Sequence, residues 1–328
     1  MSYIAVIGAG SWGTTLANLL AEKGYDVSLW AHEKELADEI KRTGINSMYV
    51  PGIPLSHNIE ATKNMREAVQ NARYILNVVP TQFTRFVFSE AAKYIPEDAA
   101  IISASKGIEH GSLMTVSSIL KDITGRPVAV LSGPSFAAEV IKKMPAAVTI
   151  AADNHDTGLL LQDVFNTDYF RVYTNTDVLG VELGGALKNV MAIASGISDG
   201  LGLGASTRAA LITRGLSEMV RLGVAMGARE KTFSGLSGLG DLVLTCTGTL
   251  SRNYTVGYKL GRGETLMDIV SNMKMVAEGV ATSGSAHELS EKYNVDMPII
   301  EQIYQVINED KKPVDAVQEL MTRSLKSE

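Results

Sequence analysis

Over the first half of the chain, short runs of consecutive apolar residues alternate with stretches whose apolar positions recur at helical spacing. The runs at residues 4–7, 27–30, 75–79, 100–104, 128–131 and 147–151 are rich in β-branched side chains and predict strands, with helices between them. Strands that are apolar without alternation are buried on both faces. They predict a doubly wound parallel α/β sheet that presents ligand sites at the carboxyl ends of its strands. Past about Asp177 the pattern lengthens into helical segments at 178–197, 209–226 and 280–293, broken by Gly/Ser-rich stretches at 196–204 and 234–240 that read as shaped loops. The chain therefore divides into an α/β domain, residues 1–177, and an all-helical domain, residues 178–328.

A length of 328 residues with 45% hydrophobic content supports that division, because one core seldom organises so long a chain. The net charge of −6 argues against a surface built for nucleic acid or anionic lipid. The single cysteine, Cys246, excludes an internal disulfide and a thiolate metal cluster, and fits a reducing compartment. Met1 to Gly8 carry no basic head or cleavage site, so they do not read as a secretion signal. The greasiest stretch, 179–197, is interrupted by Glu182 and Lys188, so no membrane span is expected and the cytoplasm is the predicted location. The histidines, at 32, 57, 110, 155 and 287, lack ligand spacing, and no metal site is predicted. A G-x-S-x-G nucleophile elbow is also absent.

The first strand runs into Gly8-Ala9-Gly10-Ser11-Trp12-Gly13, a G-x-G-x-x-G turn that opens a helix closing near Gly24. Gly8 permits the tight turn, Gly10 lets a pyrophosphate approach the backbone, and Gly13 permits close helix packing, while the helix N-terminus offers oriented N–H donors. This is the dinucleotide fingerprint of a Rossmann-like domain. The second strand ends at Trp30-Ala31-His32, with no carboxylate where NAD-specific domains place one for the ribose diol. His32 could stack on adenine or meet a 2′-phosphate, so NADP is favoured over NAD, with both retained.

Other strand ends carry Val79-Pro80-Thr81-Gln82, Ser105-Lys106-Gly107 and Ser132-Gly133-Pro134-Ser135. Lys106 suits an anionic ligand or stands as a solvated loop lysine, and Ser135 lines the crevice or caps the following helix. Within the apolar segment 178–197, Lys188 is flanked by Gly184, Gly185, Ala192 and Ser195, a small-residue stripe along which a ligand could approach the ammonium. A desolvated lysine there acts as acid or base; a packed stem with a snorkelling head is the alternative. Asp241 follows Gly235-Leu236-Ser237-Gly238-Leu239-Gly240 and either orients a lysine or caps the segment reaching Thr245. Ser251-Arg252-Asn253 offers a guanidinium fork and neighbouring donors suited to phosphate.

In this order, Gly-Ala-Gly-Ser-Trp-Gly, Ser-Lys-Gly, Ser-Gly-Pro-Ser, Glu-Leu-Gly-Gly-Ala-Leu-Lys-Asn, Gly-Leu-Gly-Asp-Leu and Ser-Arg-Asn resemble the glycerol-3-phosphate dehydrogenases, of the bacterial soluble NAD(P)-dependent type, across Ile4 to Glu278. The resemblance implies a two-domain enzyme that reversibly reduces dihydroxyacetone phosphate to sn-glycerol 3-phosphate for phospholipid synthesis. It implies Lys188 as proton donor and acceptor, Asp241 beside it, and Lys106 in contact with substrate and cofactor. Gly133 and Ser135 would touch substrate, and Ser251, Arg252 and Asn253 would grip its phosphate. Ser11, Trp12, His32, Tyr49, Lys106, Ala137, Arg252, Val276 and Glu278 would line the nucleotide. The chain departs from the family pattern at Ala205-Ser206, where Asp-Asn is frequent, and at His32, where arginine is common. A homodimer follows by fold analogy alone. Two other readings stay open: a hydroxy-acid dehydrogenase, which would need a carboxylate clamp in place of Ser251-Arg252-Asn253, and a nicotinamide-nucleotide sensor that binds without turnover.

Overall fold

The computed structural model describes residues 3–273 and 275–325. The chain forms two compact units. One comprises the residues up to Ser105 together with Val116–Val181; the other comprises Lys106–Thr115 and the chain from Glu182 onward.

The first unit is built on a sheet of β1 (Tyr3–Ile7), β2 (Asp26–Trp30), β3 (Ile59–Thr62), β4 (Tyr74–Asn77), β5 (Ala100–Ser103), β6 (Val128–Ser132), β7 (Ala146–Ala151) and β8 (Phe170–Asn175), in the order β3-β2-β1-β4-β5-β6-β7-β8. Its helices are α1 (Ser11–Glu22), α2 (Lys34–Thr43), α3 (Met65–Val69), α4 (Thr81–Ala91), α5 (Val116–Thr124), α6 (Ala137–Val140) and α7 (His155–Phe165). In β1, Ile4 and Val6 enter one apolar cluster while Ala5 and Ile7 enter another, so the central strand is buried on both faces, as its unbroken apolar run predicts.

Three features depart from the sequence reading. β3 and β8 are additional strands, at the two edges of the sheet. In β8 Phe170 and Val172 are buried while Arg171 and Tyr173 are exposed, an edge alternation rather than an apolar run. β3 buries only Ala61. The sheet is also not wholly parallel: β7 pairs antiparallel with β6, and β8 then runs parallel to β7. The link from β6 to β7 holds only the one-turn α6, too short to return the chain for another parallel crossover, so the chain reverses instead.

The second unit is helical: α8 (Val178–Gly200), α9 (Gly204–Ala225), α10 (Glu230–Phe233), a π-helical turn (Leu236–Gly240), α11 (Asp241–Thr247), α12 (Arg252–Gly261), α13 (Leu266–Ser271), α14 (Glu278–Lys292), α15 (Pro298–Asn308) and α16 (Pro313–Thr322). α8 is long and apolar enough to cross a bilayer, yet 89% of its most apolar window is buried within the protein. It continues through Gly196 to Gly200, where the glycine spacing had suggested a loop. The reason is packing. A Cβ at Gly196 would fall on the Tyr254 carbonyl and one at Gly257 on the Ile193 carbonyl, so α12 lies on α8 backbone to backbone, with Gly200 and Gly261 in the same contact one turn on. The segment Lys106–Thr115, predicted within the α/β domain, docks in this unit. Asn189 Nδ2 donates to the Lys106 carbonyl at 3.2 Å, Ser285 Oγ donates to the Ile108 carbonyl at 3.3 Å, and Gly284 leaves room for the His110 ring.

A buried carboxylate holds α15 in place. Glu218 of α9, 1% exposed, accepts from the Ile299 and Ile300 N–H groups at 2.8 and 3.2 Å. Burial pushes its pKa up to about 7, against the pull of those two N–H groups and of Arg221. An acid whose folded pKa is raised binds its proton more readily when folded, so stability falls as pH rises from the unfolded value of 4.5 through about 7. Between pH 4.5 and 8 this group should cost about 3 kcal/mol, and Glu218→Gln should flatten that part of the curve. Urea unfolding at pH 5 and pH 8 checks this; equal slopes in both proteins would refute it.

Candidate active site

Gly8, the first glycine of the turn after β1, has φ +117°, a conformation that suits glycine, and a Cβ there would clash with the backbone of Val78. At Gly13 a Cβ would strike the Gly8 carbonyl, so that position must also be glycine. At Gly10 a Cβ would meet nothing within 4 Å, which leaves open space beside the N-terminus of α1. Gly10 caps α1 without a side chain, Ser11 Oγ donates to the Tyr49 carbonyl at 3.0 Å, and the Trp12 indole Nε1 is buried without a hydrogen-bond partner. Tyr49 itself is half-buried, and its own N–H is held by Asn46 Oδ1 at 3.0 Å. His32 is exposed at the end of β2, its ring 6.0 Å from that of Trp30.

The ends of β4 and β5 are laced together by Asn77, whose Nδ2 donates to Ser105 Oγ at 3.2 Å while that hydroxyl donates to the Val79 carbonyl at 2.6 Å. Gly133, at the end of β6, has φ +147° and a Cβ there would press on Val148 Cα. Ser135 does not cap α6. Its Oγ donates to the Gly133 carbonyl at 3.2 Å, and Phe136 occupies the capping position. Ala137 opens α6, and its carbonyl accepts from Thr15 Oγ1 at 3.4 Å.

In the second unit the structure brings together Lys106, Lys188 and Asp241. Asp241 is 1% exposed and Lys188 7%. Asp241 Oδ2 pairs with Lys106 Nζ at 2.6 Å and Oδ1 with Lys188 Nζ at 2.8 Å, so one carboxylate bridges two ammonium groups. Thr245 completes the arrangement: its Oγ1 accepts from Lys188 Nζ at 2.7 Å and donates to the Asp241 carbonyl at 2.6 Å. The Lys188 head is therefore paired rather than snorkelling, and Asp241 opens α11 facing the lysines instead of capping the helix. The π-helical turn before it, closed by Gly240 N–H on the Gly235 carbonyl at 3.1 Å, sets where α11 begins.

Electrostatics in this cluster are dominated by burial. Desolvation, reinforced by the like charge of Lys106, pulls Lys188 down to about 8 against the attraction of Asp241. Burial alone would raise Asp241, but the two ammonium groups hold its carboxyl below the usual range. Two ammonium groups converge on one carboxylate in a largely dry setting, an arrangement suited to stabilising an oxyanion and supplying it with a proton. Cys246, fully buried nearby, has its thiol pushed up to about 12 by burial and stays inert.

Ser251 caps α12, accepting from the Tyr254 N–H at 3.2 Å, so it has a structural duty in addition to any ligand contact. Arg252 is exposed at the first turn and donates to the Val276 carbonyl at 2.7 Å. Asn253 is buried between Asn189 Oδ1, to which it donates at 2.9 Å, and the Gly279 N–H, which donates to its Oδ1 at 2.9 Å. Glu278 is the first residue of α14, immediately before Gly279. Asn189 thus links Lys106, the residue after Lys188, and the Ser251-Arg252-Asn253 turn. The sequence reading did not single it out, although its place beside Lys188 on a buried helix was the available signal. The small-residue stripe beside Lys188 is a packing surface rather than a ligand approach: a Cβ at Gly184 would fall 2.5 Å from the Ser237 carbonyl, and Ser195 Oγ donates to the Cys246 carbonyl at 2.7 Å.

Two family models match the chain. That of the NAD-dependent glycerol-3-phosphate dehydrogenase N-terminus covers residues 3–158, and that of the C-terminus covers residues 177–318. A glycerol-3-phosphate dehydrogenase [NAD(P)+] from Citrifermentans bemidjiense is 56% identical over 99% of this chain and 98% of its own length. The crystal structure of a glycerol-3-phosphate dehydrogenase from Coxiella burnetii, 40% identical, superposes with a TM-score of 0.95 over 98% of this chain and 99% of that one. The yeast glycerol-3-phosphate dehydrogenase structure is 29% identical, with a TM-score of 0.84 over 98% and 99% of the two chains.

Proposed function

This chain belongs to the NAD-dependent glycerol-3-phosphate dehydrogenase family, and we propose that it reversibly reduces dihydroxyacetone phosphate to sn-glycerol 3-phosphate through the buried Lys106-Asp241-Lys188 cluster. The first unit provides most of the nucleotide site, and the second unit, which takes in the Lys106–Thr115 segment as well as the chain from Glu182 onward, carries the two lysines and Asp241. The bound nicotinamide supplies the hydride, and the protein's residues do the rest. As the carbonyl carbon is reduced, negative charge gathers on its oxygen. The Lys188 ammonium stabilises that charge and gives up a proton from Nζ to it, with Asp241 and Thr245 fixing where Nζ points. Lys106 adds a second positive charge beside it. In the reverse direction neutral Lys188 takes the hydroxyl proton.

Ser251, Arg252 and Asn253 hold the substrate phosphate, and Gly133 and Ser135 complete the substrate contacts. The nucleotide fits the first unit: Gly10 is open, Gly8 and Gly13 cannot be other residues without clashes, and the Trp12 Nε1 awaits an acceptor. Gly8, Gly10, Ser11, Trp12, Gly13, His32, Tyr49, Ala137, Val276 and Glu278 line it, together with Lys106 and Arg252. With no carboxylate at position 31 or 32, NADPH is used ahead of NADH. In the same reading the enzyme acts as a cytoplasmic homodimer, does not insert into a membrane, and supplies glycerol phosphate to phospholipid synthesis.

The reaction is tested by following nicotinamide absorbance with dihydroxyacetone phosphate, with NADPH or NADH, against a non-phosphorylated dihydroxyacetone control. Phosphate-dependent oxidation supports the assignment; nucleotide binding without oxidation overturns it. Arg252→Ala removes a charge-assisted contact and should raise KM for dihydroxyacetone phosphate roughly 10- to 100-fold. An unchanged KM would dismiss the phosphate grip.

A further inference from the structure

α12 runs parallel to α8 in a constant register: Asn253 bonds Asn189, Gly257 sits on Ile193 and Gly261 on Ile197. The glycines fix which turns of the two helices can meet, because a slide of one residue would bring a Cβ onto a facing carbonyl. Within that fit, the seat of the first turn of α12 is held by polar contacts. One is the Asn189–Asn253 bond. The other lies about three turns beyond Lys188 on the same face of α8, at Asp199. Its Oδ2 accepts from Tyr254 Oη at 2.6 Å and from Arg208 Nη1 at 2.5 Å, so a single carboxylate oxygen ties α12 to α8 and α9. Tyr254 is the next residue after Asn253, and its own N–H is the donor that Ser251 accepts. Arg208 stands two residues past Ala205-Ser206, where the chain departs from the family pattern.

We propose that Tyr254, Asp199 and Arg208 form a latch of positioning residues that holds the first turn of α12 in its seat on α8, and thereby the placement of Ser251, Arg252 and Asn253 relative to Lys188. The proposal rests on the reading of that tripeptide as the phosphate grip. The latch touches no substrate. It acts by holding the first turn of α12, while Lys188, Asp241, Lys106 and Thr245 hold one another.

Tyr254→Phe removes one hydroxyl and preserves the ring, including its stacking on Tyr258. It should raise KM for dihydroxyacetone phosphate roughly 5- to 10-fold, weaken competitive inhibition by inorganic phosphate by the same factor, and leave kcat and the KM for NADPH within about twofold. Asp199→Asn should act in the same direction and more strongly, because it loosens both partners, whereas Arg208→Lys should retain most of the effect of the native pair. Thermal midpoints recorded on each variant separate a shifted seat from a damaged fold. An unchanged KM in Tyr254→Phe, with Arg252→Ala raising it, overturns the latch and leaves the phosphate grip standing. An unchanged KM in both variants overturns the grip and the latch together. A fall in kcat with KM unchanged also overturns the latch, because it marks a general structural role.

Discussion

Lys188→Ala should lower kcat at least about a thousandfold while leaving NADPH affinity within about threefold, because one side chain carries both the oxyanion contact and the proton. The variant should remain folded. Its Asp241 keeps the Lys106 ion pair at 2.6 Å, so no buried carboxylate is left without a cation. Stopped-flow turnover and fluorescence titration of NADPH separate the two effects, and near-normal turnover would remove Lys188 from the mechanism. In the native enzyme the Lys188 pKa of about 8 gives the two directions opposite pH responses. Reduction needs the ammonium and should decline as pH rises through about 8; oxidation of glycerol 3-phosphate needs the free amine and should increase over the same interval. The two profiles should cross near that value, and profiles that move in parallel would assign the titration to another group.

Gly257→Val should be strongly damaging although it lies away from the reacting groups. Its Cβ would land on the Ile193 carbonyl, which belongs to the backbone of α8 and has no rotamer with which to yield. α12 must then separate from α8, at a cost of about 3 kcal/mol or more, and Asn253 leaves Asn189 as it does. Urea denaturation should show the loss of stability, and KM for dihydroxyacetone phosphate should rise in whatever protein remains folded. A variant with native stability and native KM would show that the helices do not need their close approach.

What the sequence disclosed and what it withheld follow from the range of the interactions. Gly8, Gly10 and Gly13 were legible because strand, turn and helix are consecutive, so the local pattern contains the whole device. Lys188 was legible because a charge within an apolar helix demands a partner, and Asp241 because a carboxylate after a glycine-rich turn suits that need. β8 was missed because an edge strand alternates and lacks the apolar run that marked the others. α8 was stopped short of Gly200 because glycines read locally as breakers, whereas here they admit a second backbone. The matching four-residue spacings, Gly196 with Gly200 and Gly257 with Gly261, were the clue that the two helices belong together. The Asp199–Tyr254 bond was invisible because it spans 55 positions of chain, and Asn189, though it stands beside Lys188, gives no sign of its partners 64 and 83 positions away.

The docking of Lys106–Thr115 among the helices of the second unit bears on how the protein is made. That segment is synthesised in the middle of the sheet unit, yet the Ser285 hydroxyl that meets its Ile108 carbonyl emerges 177 residues later. A nascent chain released from the ribosome as far as residue 181 has a complete sheet but an excursion with nowhere to dock, and Lys106 has no Asp241 to meet. The first unit can assemble early; the segment bearing one of the two lysines waits for nearly the whole chain. Such long loop closure is slow. A gene cut between the two units would therefore be expected to yield halves that recover activity only when mixed, with reconstitution limited by the insertion of this short segment.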